Sequence, residues 1–243
     1  MTKSGGCGRC CVMPTDRVAF VLVPGFSLLA LSAGVEPLRV ANAVRGDRLF
    51  DWMLVSETPG PVVSSSDVPM HAEPLSAATD TTIVAVCGGN RSHLGDAPLL
   101  KPWLRAAARR GAMVGAFSDA SYLVAAAGLY DDVPSTIHWH CLDSYRERFP
   151  WLDIRATLFE LHERRFSSAG GTASLDLMLT LLQIRHGSDL ATAVASTFIH
   201  EQIRAAGSGQ LSGYFLLQHH SRQLAEAVRL MEHHVETPLP VAD

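Results

Sequence analysis

The sequence carries no excess of basic charge: 24 acidic side chains outnumber 20 basic ones, for a formal net charge of −4. Composition therefore implies no strongly cationic surface for nucleic acid. There is no Gly-x-Gly-x-x-Gly run, no Walker lysine and no His-Glu-x-x-His, so the usual signatures of dinucleotide, nucleoside-triphosphate and zinc-hydrolase sites are missing. Charged residues make up only 18% of the 243 residues against 47% hydrophobic, which excludes a disordered or acidic-tail protein and allows one sizeable core.

Cysteine is scarce and unsuited to a disulfide framework, with an odd five at positions 7, 10, 11, 87 and 141. Cys7 and Cys10 have the spacing of half a zinc knuckle, but no second pair completes it. His138 and His140 are two apart and His219 and His220 are adjacent, so no metal site is expected, nor any cofactor. A reducing, cytoplasmic compartment fits this usage. Charge is also absent from residues 18–35, but Pro24-Gly25 divides that run into a β-branched part and a Leu/Ala part. It reads as strand, turn and helix start, not as a membrane span or signal peptide, so no membrane partner is expected.

What is present alternates between strand-like and helix-like segments. Strands are expected at 18–23, 52–56, 82–86, 113–117, 135–138, 155–161 and 165–168. Helices are expected at 28–44, with a kink or break at Glu36-Pro37, and at 99–109, 141–149, 173–184 and 190–204, besides an Ala/Leu helix that ends at Gly128. This order predicts an α/β domain with a mostly parallel sheet. Gly207-Ser208-Gly209-Gln210 reads as a flexible interruption, and 222–235 as one more amphipathic helix with nothing to bury against unless the chain continues.

The sharpest local feature is the passage from strand 113–117 into a helix, with Ser118 at the junction. A side chain on so tight a turn projects from the sheet edge near unpaired helix N–H groups. Neither elbow glycine of Gly-x-Ser-x-Gly is present, and alanines stand there instead. Ser118 can therefore be a helix N-cap, or a nucleophile if His138, at the end of the next expected strand, serves as its base. In the second case backbone N–H groups near Gly88 and Ala120 would form the oxyanion hole. Glu36 stands after an uncharged run, either at a surface helix end or as a carboxylate in apolar surroundings. Gly88 and Gly89 end a buried strand, where open α/β sheets bind ligands, and Gly170-Gly171-Thr172 precedes a helix that could face an anion.

Several stretches together resemble the DJ-1/PfpI-like, class I glutamine-amidotransferase-like domain found at the N-terminus of a group of AraC-family transcription regulators. They are FSLLALSAGVEPLRVAN (26–42), AVCGG (85–89), AFSDASYLVAAAGLYDD (116–132), STIHWHCLDSYRERFP (135–150), FSSAGGTASLDLMLTLLQIRHG (166–187) and FIHEQIR (198–204). AVRLMEHHVETPLPVAD (227–243) resembles the beginning of the AraC-type DNA-binding domain. The resemblance implies a three-layer, flavodoxin-like sandwich. It also implies a flexible stretch at 1–16, a sensing and dimerisation domain at 17–206, a linker at 207–221 and a truncated helix-turn-helix start at 222–243.

In that superfamily a cysteine occupies the elbow, a glutamate from the first helix bonds it and a histidine lies close by. Carried over, these positions are Ser118, Glu36 and His138, and the serine removes the thiolate on which the chemistry depends. The resemblance thus implies a non-catalytic pocket of Glu36, Gly88, Gly89, Ser118, Asp119, His138 and Trp139. Its effector would be small, in the class of amines, betaines or amino acids. The partners implied are that effector, a second copy of the chain, and DNA only through the C-terminal domain. A serine hydrolase using Ser118 and His138 is the alternative, and a dimer scaffold with a vestigial pocket is a third reading.

Overall fold

The computed structural model describes residues 15–89 and 97–210. The cysteines at 7, 10 and 11, the paired His219 and His220, the rest of the expected linker and the helix at 222–235 lie outside the described residues. The strands are β1 (Asp16–Leu22), β2 (Phe50–Ser56), β3 (Gly60–Val63), β4 (Pro69–Pro74), β5 (Ile83–Cys87), β6 (Met113–Phe117), β7 (Phe159–Leu161) and β8 (Arg165–Ser168). They form one sheet in the order β3-β4-β2-β1-β5-β6-β8-β7, parallel except for β3 and β7 at the two edges.

β5 and β6 are buried along their whole length, which is why they read as unbroken apolar runs. Alternate residues serve opposite layers. Phe20, Leu22, Ile83 and Phe117 pack on α1 (Leu28–Arg45), α5 (Ala173–His186) and α6 (Ser188–Thr197). Val21, Val84, Val86 and Val114 pack on α2 (Leu100–Arg109), α3 (Ser121–Ala126) and α4 (Leu142–Arg148). The result is the expected three-layer α/β sandwich. Among the described residues, no helix is long and apolar enough to cross a membrane.

Four local expectations are corrected. Helix α1 runs unbroken through Pro37, a buried residue, between its N-cap Ser27, which accepts from Ala30 N, and the left-handed Gly46. Tertiary packing of α1 along its buried face offsets the one lost N–H. Residues 135–138 make only an isolated bridge from Ser135 to Ile154, not a strand. The helix expected to end at 204 stops at Thr197, and residues 198–210 are non-helical. The Gly207–Gln210 stretch is docked, since Gly209 bridges to Thr157 and Gln210 is hydrogen-bonded to the body.

Candidate functional site

The C-terminal ends of β5 and β6 lie side by side, and Ser118 follows β6 with φ at +58°. A non-glycine residue in the left-handed region is strained by about 1–3 kcal/mol and persists only where its surroundings over-determine it. Here the surroundings are two glycines. A Cβ on Gly170 would stand 2.7 Å from Ser118 Cβ, and one on Gly88 would stand 2.4 Å from Ala120 N. Only bare backbone fits on either side of this turn.

Asp119, 5% exposed, has two of the expected site residues beside it, Ser118 and His138. Ser118 Oγ donates to Asp119 Oδ1 at 3.2 Å. Burial holds His138 below the ordinary histidine pKa, partly countered by the negative Asp119 nearby, and its Nδ1 accepts from His140 N at 3.3 Å. Trp139 follows, its ring 5.4 Å from that of His138 and tilted by 35°.

Cys141 belongs to the same neighbourhood, a residue that sequence reasoning did not single out. Burial first, and the adjacent Asp119 carboxylate second, push its thiol up to about 11. An unreactive thiol is the consequence. At mildly alkaline pH its iodoacetamide labelling, followed by peptide mass spectrometry, is expected to run roughly a hundredfold slower than that of an unperturbed cysteine. Asp119→Asn should speed it up. Labelling at the ordinary rate in the parent would contradict this placement.

Hydrogen-bonded side chains fix the loop that carries His138. Ser121 Oγ donates to Thr136 O at 2.8 Å, Thr136 N donates to Ser167 Oγ at 2.8 Å, and Tyr122 OH pairs with Ser144 Oγ at 2.8 Å. Ser121, Thr136 and Ser167 are all fully buried, so every unmade bond would be costly.

Not every expected role is met. Glu36 lies eight residues into α1, about 12 Å along the axis from its first residue. It is half-exposed there and pairs with Arg39 at 2.6 Å, whereas Ser118 Oγ is bonded to Asp119. Ser118 is not an N-cap either, for its backbone is left-handed instead of extended and its hydroxyl is committed to Asp119. Gly88 N already donates to Phe117 O at 3.2 Å, which takes one of the two N–H groups an oxyanion hole there would need.

Gly89 sits where a Cβ would meet Gly25 O at 2.3 Å, which brings the β1–α1 turn against the site. Thr172 Oγ1, beside the Gly170-Gly171 pair, accepts from Arg204, and the first turn of α5 already holds the carboxylate of Asp176. That leaves little reason for an anion at this helix end. Among the described residues, no group of three or more His, Cys, Asp or Glu could hold a metal ion.

No family model matches the chain. It is 36% identical over 222 residues to the HTH-type transcriptional regulator CdhR of Pseudomonas aeruginosa, covering 90% of this chain and 66% of that protein. It is 30% identical over 229 residues to the HTH-type transcriptional regulator GlxA of Rhizobium meliloti, covering 92% and 70% respectively. The chain thus spans about two thirds of the length of the curated relatives it matches. Its fold is that of a THiJ/PfpI family protein from Pseudomonas syringae, with a TM-score of 0.71 over 95% of this chain and 93% of the other, at 15% identity.

Proposed function

The chain belongs to the AraC-family, GlxA-type transcriptional regulators with an N-terminal DJ-1/PfpI-like domain, and we propose that this domain senses a small metabolite without transforming it. The observation that carries this reading is the state of Ser118. Its hydroxyl is bonded to Asp119, and His138 Nδ1 is occupied by a backbone N–H, so the hydroxyl bonds no histidine base. A serine without a base is a poor nucleophile, and the pocket is left with affinity as its use.

Chemistry favours a small cationic head group, as in an amine, a betaine or an amino acid. A nearly buried carboxylate on Asp119 attracts it, the neutral His138 does not repel it, and the aromatic ring of Trp139 adds a cation–π face. The effector would act by binding one arrangement of the regulator better than another. A homodimer, DNA contact through a C-terminal helix-turn-helix domain and a cytoplasmic location complete the reading. The effector site proposed is Gly88, Gly89, Ser118, Asp119, His138 and Trp139, without Glu36.

A panel of small amines, betaines, amino acids and carboxylates, read by thermal unfolding, tests the proposal. One compound class should raise the midpoint saturably, by the equivalent of about 2.7 kcal/mol at a hundred times its Kd. Asp119→Asn should abolish the rise. Acidification through the depressed His138 titration should weaken it, because an imidazolium would compete with the ligand for Asp119. Hydrolysis of activated acyl esters, lost in Ser118→Ala, would overturn the non-catalytic reading.

A further inference from the structure

Residues 198–210 run from the end of α6 across the protein to Gln210, held by three features. At the root, Ile199 adopts φ +56° although it is β-branched and 89% exposed, so neither burial nor side-chain type explains the conformation. In the middle, His200 and Arg204 close on the fully buried Asp176. His200 Nε2 lies 2.9 Å from Oδ1, to which Arg204 N donates at 2.8 Å. Arg204 Nε and Nη2 donate to Oδ2 at 2.9 and 2.6 Å, and Nη2 reaches Thr172 Oγ1 at 2.8 Å. At the far end, Gln210 Nε2 donates to Thr136 Oγ1 at 3.1 Å and to Ile137 O and Thr157 O at 2.8 Å each.

These anchors grip the site from two sides. Thr172 follows directly on the Gly170-Gly171 turn that packs against Ser118, and Thr136-Ile137 leads directly into His138. The grip is uneven. Both Asp176 oxygens are fully engaged, whereas Gln210 Oε1 is buried with no hydrogen-bond partner among the described residues.

We infer that residues 198–210 are a strap that couples occupancy of the Ser118–Asp119–His138 site to the docking of the chain that leaves the α/β domain. This rests on the sensing reading of that site. A ligand that holds the two walls in place favours the docked strap, and the docked strap tightens the ligand by the same factor. Strain at Ile199, kept only while His200 and Arg204 are seated, gives the undocked state a counterweight.

The test is hydrogen–deuterium exchange of the peptides covering 198–210 in the 243-residue chain, with β5 peptides as the internal reference. The parent, Gln210→Ala and Ser118→Asn are compared, each alone and with glycine betaine or L-arginine. Asparagine tolerates the left-handed backbone at 118 but brings extra atoms against the Gly170 turn. Both variants should raise exchange of 198–210 about tenfold with β5 unchanged, and a compound that raises the unfolding midpoint should lower that exchange.

The strap is overturned if Ser118→Asn leaves 198–210 at the parent rate, or if β5 rises in parallel. It is equally overturned by a compound that stabilises the protein without slowing 198–210. If neither compound moves the midpoint, the sensing reading fails for those two, and the Ser118→Asn comparison still decides the coupling.

Discussion

Arg204→Ala is expected to destabilise the domain by about 3–5 kcal/mol, the range found when one member of a buried ion pair is removed. The carboxylate of Asp176 is completely inaccessible, and three of its four hydrogen bonds come from Arg204, two through the guanidinium and one through the backbone N–H. Deleting the guanidinium leaves a buried negative charge held only by His200 and the backbone N–H of residue 204, both on Oδ1, with Oδ2 stripped of its donors. The converse change should cost less, because the Arg204 side chain is 38% exposed and can turn to water when its partner becomes neutral. Asp176→Asn is accordingly expected to lose only about 1–2 kcal/mol, the scale of hydrogen bonds to a charged group. Urea unfolding of both variants at unchanged m-value measures the order. An Asp176→Asn loss as large as that of Arg204→Ala would mean that the shape of the strap, not the buried charge, dominates.

The parts of this architecture legible in the sequence are those set by local pattern. The bounds of β6 are those expected, Met113–Phe117, because a strand buried on both faces must be apolar throughout and Gly111 and Ser118 punctuate it. Strands β3 and β4 are not legible because β3 is the edge strand and β4, next to it, meets β2 over only two residues, and prolines at 61, 69 and 74 and exposed polar residues there read as loop. Helix α6 was extended too far because residues 198–204 keep a plausible helical composition. Capture of Arg204 by Asp176, 28 residues away in sequence, overrides that propensity.

At the site, Ser118 is legible as the junction residue of the strand-to-helix transition, whereas Asp119 enters only through the resemblance and the left-handed backbone at Ser118 only through the structure. The placement of Cys141 could not, since it depends on the short turn after His138 folding back toward Asp119. Glu36 is a candidate both by its uncharged surroundings in the sequence and by the resemblance, and the structure shows it half-exposed on α1 and paired with Arg39, as a surface position would be.

Gly88→Ala is expected to cost about 3 kcal/mol and to erase any thermal response to a ligand. Both peptide groups of Gly88 are pinned, its N–H donating to Phe117 O at 3.2 Å and its carbonyl accepting from Ser27 N at 3.0 Å. It cannot rotate away from the contact that a side chain would create. That contact is with backbone: 2.4 Å to Ala120 N and 2.9 Å to Ala120 Cα, distances that real Cβ atoms do not adopt. Relief requires moving either the end of β5, fixed between β1 and β6, or the turn that holds Ser118 in its left-handed conformation. Overpacking of this kind costs about 1–3 kcal/mol where a core can adjust, and here the neighbours are main chain.

Gly171→Ala separates this effect from glycine replacement in general. Gly171 has φ +54° and nothing within 4 Å of a Cβ, so alanine there should pay only the left-handed penalty of about 1–2 kcal/mol. If Gly88→Ala proves no worse than Gly171→Ala, then the β5 and β6 ends are not the rigid frame that holds Ser118 strained, and a ligand could find the site in more than one conformation.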